Sequence, residues 1–404
     1  MKKNLPLSLI FMVVFIDLLG FGILIPIIPS FAYKYLHASE ADIGIVIAVY
    51  SLVQFVFNPI FGTLSDRYGR RNIILFTLFM NAVGYVMFSL TNSFFMLMMA
   101  RIVSGVGGSS IGVAQAYIAD VTTPQERARG MGLIGVAFGL GFVFGPMLGG
   151  VFSHFGYAVT GYAAAGFSFL ALIVSFFYLP ESMTKEKHHT EAIRLIKLFN
   201  FDSFASVFKS KSAFFVISMT FFVTFSIANI YGTLALLGTT VFDFTDFDIG
   251  MLYGVMGIVS AFMQGFMLNK LTKRYTQLQL LVVGFLSLAG GLALIPFGEN
   301  MLIMGLVLAL MSIGTGSLNP VLLSLISQVT AENEQGKVLG TNQSLSSLAR
   351  VLGPLWGGFA FEYFGYHVPF LTGAAVSLLL TFYCMRFYNP IIQKRLIDVQ
   401  GQQH

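Results

Sequence analysis

From residue 7 to residue 28 the chain reads LSLIFMVVFIDLLGFGILIPII, an apolar run whose only charged side chain is Asp17. A helix rising ~1.5 Å per residue needs about 20 such residues to cross the hydrocarbon core of a bilayer. Eleven further runs of this kind follow, at 41–62, 72–91, 94–119, 129–151, 160–179, 213–236, 248–269, 277–297, 301–326, 337–361 and 367–388. Only 10% of the residues are charged and 56% are hydrophobic. Soluble domains average about 25% charged. The chain is therefore expected to be an all-α integral membrane protein with twelve transmembrane helices. The first run carries no small-residue cleavage site and contains Asp17, so it is read as a retained span.

Basic residues test this count, because Lys and Arg accumulate in cytoplasmic segments. With the amino terminus inside, every Lys and Arg falls on the cytoplasmic side except Lys34, Arg101 and Arg350. Both termini are then cytoplasmic, and the net charge of +5 reflects these loops rather than a nucleic-acid partner. The longest polar stretch, 181–212, divides the chain into 1–180, a cytoplasmic linker, and 213–404 with a basic tail. Each half holds six spans. Cys384 is the only cysteine, which excludes a disulfide framework.

The halves repeat. GPMLGGVFSHFGY (145–157) matches GPLWGGFAFEYFGY (353–366), and GTLSDRYGRR (62–71) faintly parallels GFMLNKLTKR (265–274). Internal repeats of this kind mark secondary transporters that rock about a central site. The expected architecture is two pseudo-symmetric six-helix bundles.

The pattern Gly62-x-Leu64-x-Asp66-Arg67-x-Gly69-Arg70-Arg71 resembles a signature of the major facilitator superfamily. RIVSGVGGSSIGVAQAYIAD (101–120) is similar to its second motif, and GLIGVAFGLGFVFGPMLGG (132–150) to the glycine-proline motif of its proton-coupled antiporters. With IDLLGFGILIPIIP (16–29), the sequence most resembles the twelve-span drug:proton antiporters, tetracycline exporters included.

That resemblance implies alternating access driven by a proton gradient, without cofactor, metal or enzymatic activity, by a protein taken to be monomeric in the inner or plasma membrane. Its partners would be protons, a small molecule and the bilayer. The resemblance further implies that Asp66 reaches the amino-terminal end of span eleven as a cytoplasmic latch, with Gly62, Arg67, Gly69, Arg70 and Arg71 completing the gate. The arginines alone could equally set topology only. In the second half Asn269 stands where Asp66 stands in the first. Along span five, Gly135, Gly139, Gly141, Gly145, Pro146, Gly149 and Gly150 offer small-residue faces for close helix approach. The resemblance makes that helix a seam between the halves.

Asp17 is the one acid expected near mid-membrane, where a charge costs at least roughly 2.5–3.5 kcal/mol. Depths counted along the helices make Arg101 its expected partner. Asp17 is either a proton carrier, with Arg101 tuning it, or half of a static ion pair. Arg350 has no evident acidic partner. Either carbonyls and Asn342, Gln343 or Ser344 satisfy it, or it faces a cavity. Asn58, Asn81, Gln115, Asn229, Tyr231, Gln264, Asn319, Asn342 and Arg350 are the expected cavity residues, with interhelical glue as the other reading of each.

Two features depart from the tetracycline exporters. Gly84 stands where they carry an acid in span three, and spans eight and nine are read as free of acid and histidine. Tetracycline with its metal is therefore not the expected substrate. The expected function is export of lipophilic drugs or similar amphiphiles. Export of an endogenous metabolite or organic anion, proton symport, and a non-transporting sensor are the alternatives.

Overall fold

The computed structural model describes residues 5–182, 210–330 and 334–393. Most of the expected linker, with His188 and His189, lies outside the described residues, as does the tail with Lys394 and Arg395. The described residues are almost wholly helical, and no strand occurs among them.

Among the described residues, eleven helices are long and apolar enough to span a membrane. Spans one to six are Leu7–Leu36, Glu40–Tyr68, Arg70–Ser89, Phe94–Val121, Gly130–Ser153 and Tyr157–Tyr178. Spans seven to ten are Lys211–Thr240, Asp246–Leu271, Gln277–Phe297 and Met301–Val329, and span twelve is Val368–Ile392. The remaining long helix, Gln335–Phe364, is the expected span eleven. Thr341, Asn342, Gln343, Ser344, Ser346, Ser347 and Arg350 make it too polar to pass on composition alone.

Several spans run longer than the apolar count. Span one turns at Ile25–Pro26 and continues as Ile27–Leu36. Span eight starts at Asp246, so Asp246 and Asp248 lie in its first turn. This corrects the reading of span eight as free of acids, and the helix dipole favours acids there. Large apolar side chains cover the outside, Phe382 being 70% exposed, as lipid-facing helices require.

The chain forms two compact units, one of Met1–Phe199 with Leu234–Gly254, the other of Asn200–Thr233 with Val255–His404. In the first, span one packs on spans five and six, and span three on spans four and six. In the second, span nine packs on spans ten and twelve.

Close approaches repeat with the sequence. Gly145, opening GPMLGG, lies against span one, where a Cβ would come 2.6 Å from the Cα of Gly22. Gly353, opening GPLWGG, lies against span seven, where a Cβ would come 2.8 Å from the backbone nitrogen of Asn229. Likewise Gly84 meets Ser104 across spans three and four, and Gly284 meets Ser317 and Leu318 across spans nine and ten. Lipid is as apolar as the helices, so association in a membrane rests on such packing and on interhelical hydrogen bonds.

Candidate functional site

Asp17 is 5% exposed, and its helix neighbours Val13, Val14 and Leu18 belong to a buried apolar cluster that also holds Leu78 and Val113. Its carboxylate accepts from two neutral donors. Asn81 Nδ2 on span three donates to Oδ1, and Ser110 Oγ on span four donates to Oδ2 at 2.7 Å. Hydrogen bonds to a charged group are worth about 1.5–3 kcal/mol each. Two of them match the insertion cost of roughly 2.5–3.5 kcal/mol, so the site stands without a counter-ion.

The backbone of span four aims these groups. Its α-helix runs from Phe94 to Gly107, tightens to a 3₁₀ turn at Gly108–Ser110, and resumes at Ile111. Ser109 leaves helical geometry at φ −82°, ψ 22°. Gly107 has no Cβ where the amide of Asn81 packs, and Gly108 has none where Tyr50 and Gln54 pack. Gln54 Nε2 donates to the Gly108 carbonyl at 2.7 Å and to Tyr50 Oη at 3.2 Å. The signal for Ser110 was present in the run Gly107-Gly108-Ser109-Ser110, a weak stretch of helix inside a span.

The expected Asp17–Arg101 ion pair does not form. Arg101 is 4% exposed, its guanidinium lies 4.3 Å from the centroid of the Tyr50 ring, and its Nε points at the Val46 carbonyl at 3.5 Å. The reason is helix length. Span one extends to Leu36, beyond the end the apolar count gave it, and Asp17 meets span four at Ser110, nine residues or about 13 Å along that span from Arg101. An arginine side chain cannot cover the difference, so Ser110 occupies the level where Arg101 was expected.

The 62–71 turn is held from three sides. Arg70 is buried and pairs with Asp66 at 2.5 Å and with Asp120 at 3.1 Å, and its Nη1 donates to Ser65 Oγ at 2.6 Å. Gly69 takes φ +92°, which glycine adopts without strain. The Glu181 carboxylate accepts from the backbone N–H of Arg70 at 2.9 Å and of Arg71 at 3.2 Å, capping span three. An anion at a helix amino terminus stabilises by about 0.3–1 kcal/mol. Glu181 and Asp120 were not expected in this cluster. Arg71 donates to the Phe176 carbonyl at 2.5 Å, while Arg67 is exposed and lies 5.4 Å from the Tyr68 ring centroid. Gly62 has open space around it.

Span five presents two glycine faces. Gly141, Gly145 and Gly149 pack on Leu18, Gly22 and Ile23 of span one. Gly150 and the Pro146 carbonyl pack on Phe247 and Gly250 of span eight, where a Cβ on Gly250 would lie 2.5 Å from Pro146 O. Gly135 and Gly139 have open space. The motif therefore divides into packed and unpacked members, and its main stripe faces span one. Nearby, Tyr157 Oη donates to Asp246 Oδ2 at 2.6 Å, and the hydroxyls of Ser30 and Thr239 lie 2.9 Å apart.

The expected cavity residues separate. Asn81 belongs to Asp17. Asn229 is fully buried and donates to the Pro369 carbonyl at 2.6 Å, joining spans seven and twelve. It reads as glue, because Gly353 and Gly357 let span eleven close on it. Gln115, Gln264 and Asn319 are exposed, and Gln264 lies in a π-helical turn at Met263–Met267. Asn58 and Asn342 each bury an amide oxygen that accepts no hydrogen bond. Arg350 is half-buried, donates to Ser347 Oγ at 2.9 Å, and is an electrostatic neighbour of Tyr231. Gly84 is closed by Ser104, so an acid there would force spans three and four apart.

Long apolar helices in two repeated sets, with a buried acid inside one set, define a multi-pass membrane transporter. The family model described as Major Facilitator Superfamily matches residues 10–354 and 266–400. The chain belongs to the Major Facilitator Superfamily.

It is 29% identical over 364 residues to the class H tetracycline resistance protein of Pasteurella multocida, covering 89% of this chain and 90% of that one. It is 30% identical over 377 residues to multidrug resistance protein 2 of Bacillus subtilis (strain 168), covering 91% of each. Among solved structures, the human organic anion transporter TETRAN superposes with a TM-score of 0.69 at 25% identity, covering 95% of this chain and 100% of that one.

Proposed function

We propose that the protein is a proton-coupled antiporter that exports lipophilic small amphiphiles by alternating access, with Asp17 as the proton carrier. The observation that carries this reading is a buried mid-span carboxylate held by two neutral donors, with no cation paired to it among the described residues. A fixed counter-ion would add its attraction to that of the donors and hold the group charged more firmly than two neutral donors do, so this arrangement keeps a change of charge within reach. The relatives named for tetracycline and multidrug resistance support drugs as the substrate class. The 62–71 turn serves as the cytoplasmic gate, with Asp66 exchanging Arg70 for another partner as the transporter turns over. Arg101 acts as a mobile charge parked on Tyr50. The molecule works as a monomer in the cell membrane, with both termini cytoplasmic and the proton gradient as its only energy source.

Topology can be checked with single cysteines, because Cys384 is the only native thiol. In a Cys384→Ser background, a cysteine replacing the exposed Asp243 should react with an impermeant reagent on intact cells, and one replacing the exposed Arg274 should not. The reverse pattern would overturn the orientation.

The preferred substrates are neutral, zwitterionic or anionic. Arg101 and Arg350 outnumber Asp17 among the expected mid-span charges, so these charges sum to a positive value in either protonation state of Asp17. The organic anion transporter TETRAN supports the same reading, and an organic-anion exporter is the second function to test. Proteoliposomes with an imposed pH gradient should accumulate the neutral and anionic members of a charge-varied lipophilic series, and Arg350→Gln should lose that preference. If the wild type favours the cationic member and the mutant matches it, the substrate reading fails. If no member responds to the pH gradient, proton coupling fails.

A further inference from the structure

The Asn81 amide is fully buried, yet only one of its two ends is used. Nδ2 donates to Asp17, while Oδ1 accepts no hydrogen bond and lies against Gly107. A buried acceptor left empty costs roughly 1–3 kcal/mol, so a fold that keeps one has a use for it or a state in which it is filled.

We infer that Asn81 is a two-faced positioning residue that serves Asp17 in both of its protonation states. This rests on the proposed role of Asp17 as the proton carrier. An ionised carboxylate can only accept, and the amide meets it with its N–H. A protonated carboxyl must donate: a proton on Oδ2 can be received by the Ser110 hydroxyl, whereas one on Oδ1 faces Asn81 Nδ2, which cannot receive it. Rotating the amide by half a turn about its Cβ–Cγ bond exchanges Nδ2 for Oδ1 and supplies the missing acceptor. The proton comes from the aqueous phase and forms an O–H bond on Asp17. The Nδ2–H···Oδ1 hydrogen bond breaks, and an O–H···Oδ1 bond to Asn81 replaces it.

Gly107 leaves space for the turning amide, since a Cβ at that position would overlap Asn81 Oδ1. Ser110 remains bonded throughout, because a hydroxyl both donates and accepts. The other ionisable groups around the site are Tyr85 on span three, Tyr50 on span two and Arg101 on span four. Leu18 and Gly20, which flank Asp17 on span one, meet Gly141 of span five and Ser168 of span six, neither of them ionisable.

Infrared difference spectra of the full-length protein in liposomes, recorded against pH, test the inference. A carboxyl band that titrates in the wild type and is missing from Asp17→Asn belongs to Asp17. With the asparagine side chains labelled with nitrogen-15, an amide band should change at the same midpoint as that carboxyl band. In Asn81→Leu the amide change should vanish, the carboxyl band should be displaced, and accumulation driven by a pH gradient should fall about tenfold. An Asp17 band that titrates with no accompanying asparagine change overturns the inference and leaves the proton carrier intact. The labelled wild type gives that answer even if Asn81→Leu does not fold. An Asn81→Leu spectrum identical to the wild type also overturns it. If no Asp17-dependent carboxyl band titrates at all, the proton-carrier reading fails instead.

Discussion

Replacing Asp17 by asparagine is expected to abolish accumulation driven by a pH gradient while leaving the protein folded and able to exchange substrate. The substituted side chain has nearly the same shape, so the apolar cluster holding Leu18, Leu78 and Val113 is left undisturbed. One of its ends still accepts from a neighbouring donor, and the Asn81 amide can turn to accept from the other. The stability change should stay within about 1 kcal/mol, the level of one rearranged hydrogen bond. The proton site is lost entirely, so the loss of coupling should be complete rather than graded. Asp17→Ala should behave worse on both counts, because it strands the Asn81 and Ser110 donors in an apolar core. The measurement is accumulation after a pH jump, beside substrate exchange at equal pH, in the same proteoliposomes. An asparagine variant that still concentrates substrate after the jump removes Asp17 from the mechanism. One that fails in exchange as well shows that Asp17 binds substrate or holds the fold.

Gly145→Val should be among the most damaging changes in span five, and Gly135→Val among the mildest. A Cβ on Gly145 would sit 2.6 Å from the Gly22 Cα and 3.0 Å from the Leu19 carbonyl oxygen. Both are backbone atoms, so no rotamer change relieves the overlap and spans one and five must separate. Overpacking typically costs about 1–3 kcal/mol, and contact between backbones belongs at the upper end. Gly135 has no atom within reach of an added Cβ, so the same substitution there meets open space. Gly353→Val should resemble Gly145→Val, because its Cβ would meet the backbone of Asn229 and Phe225. Thermal unfolding of the purified variants in detergent, ranked against the wild type, checks all three. Equal midpoints for Gly145→Val and Gly135→Val would mean that the glycine stripe does not set the approach of span one.

Much of the molecule was legible because a bilayer leaves few solutions. Apolar runs placed the spans, and the GPMLGG and GPLWGG repeat located the matching close approaches on spans one and seven. Span eleven was read with the others as a run at 337–361, and the repeat and the charge pattern both fit a helix there, although polar residues are dense between Thr341 and Arg350. Helix ends were read short, since an apolar count stops where polar residues begin while the backbone continues to the next cap. Span one gained residues 29–36 in this way, and span eight gained Asp246.

Those extra turns decided the site. By itself the sequence determined a membrane transporter of repeated halves, its one mid-span acid and its small-residue helix faces, because each follows from composition and spacing along a single helix. The partners of Asp17 depend on how far each helix runs and where span four tightens into its 3₁₀ turn. Only the tertiary structure therefore put Ser110 and Asn81 beside the carboxylate, set Arg101 over Tyr50, and brought Glu181 from beyond span six to cap span three. Depth and rotation between neighbouring helices are set by the packed glycines and the hydrogen bonds across them, and no periodicity within one span carries that information.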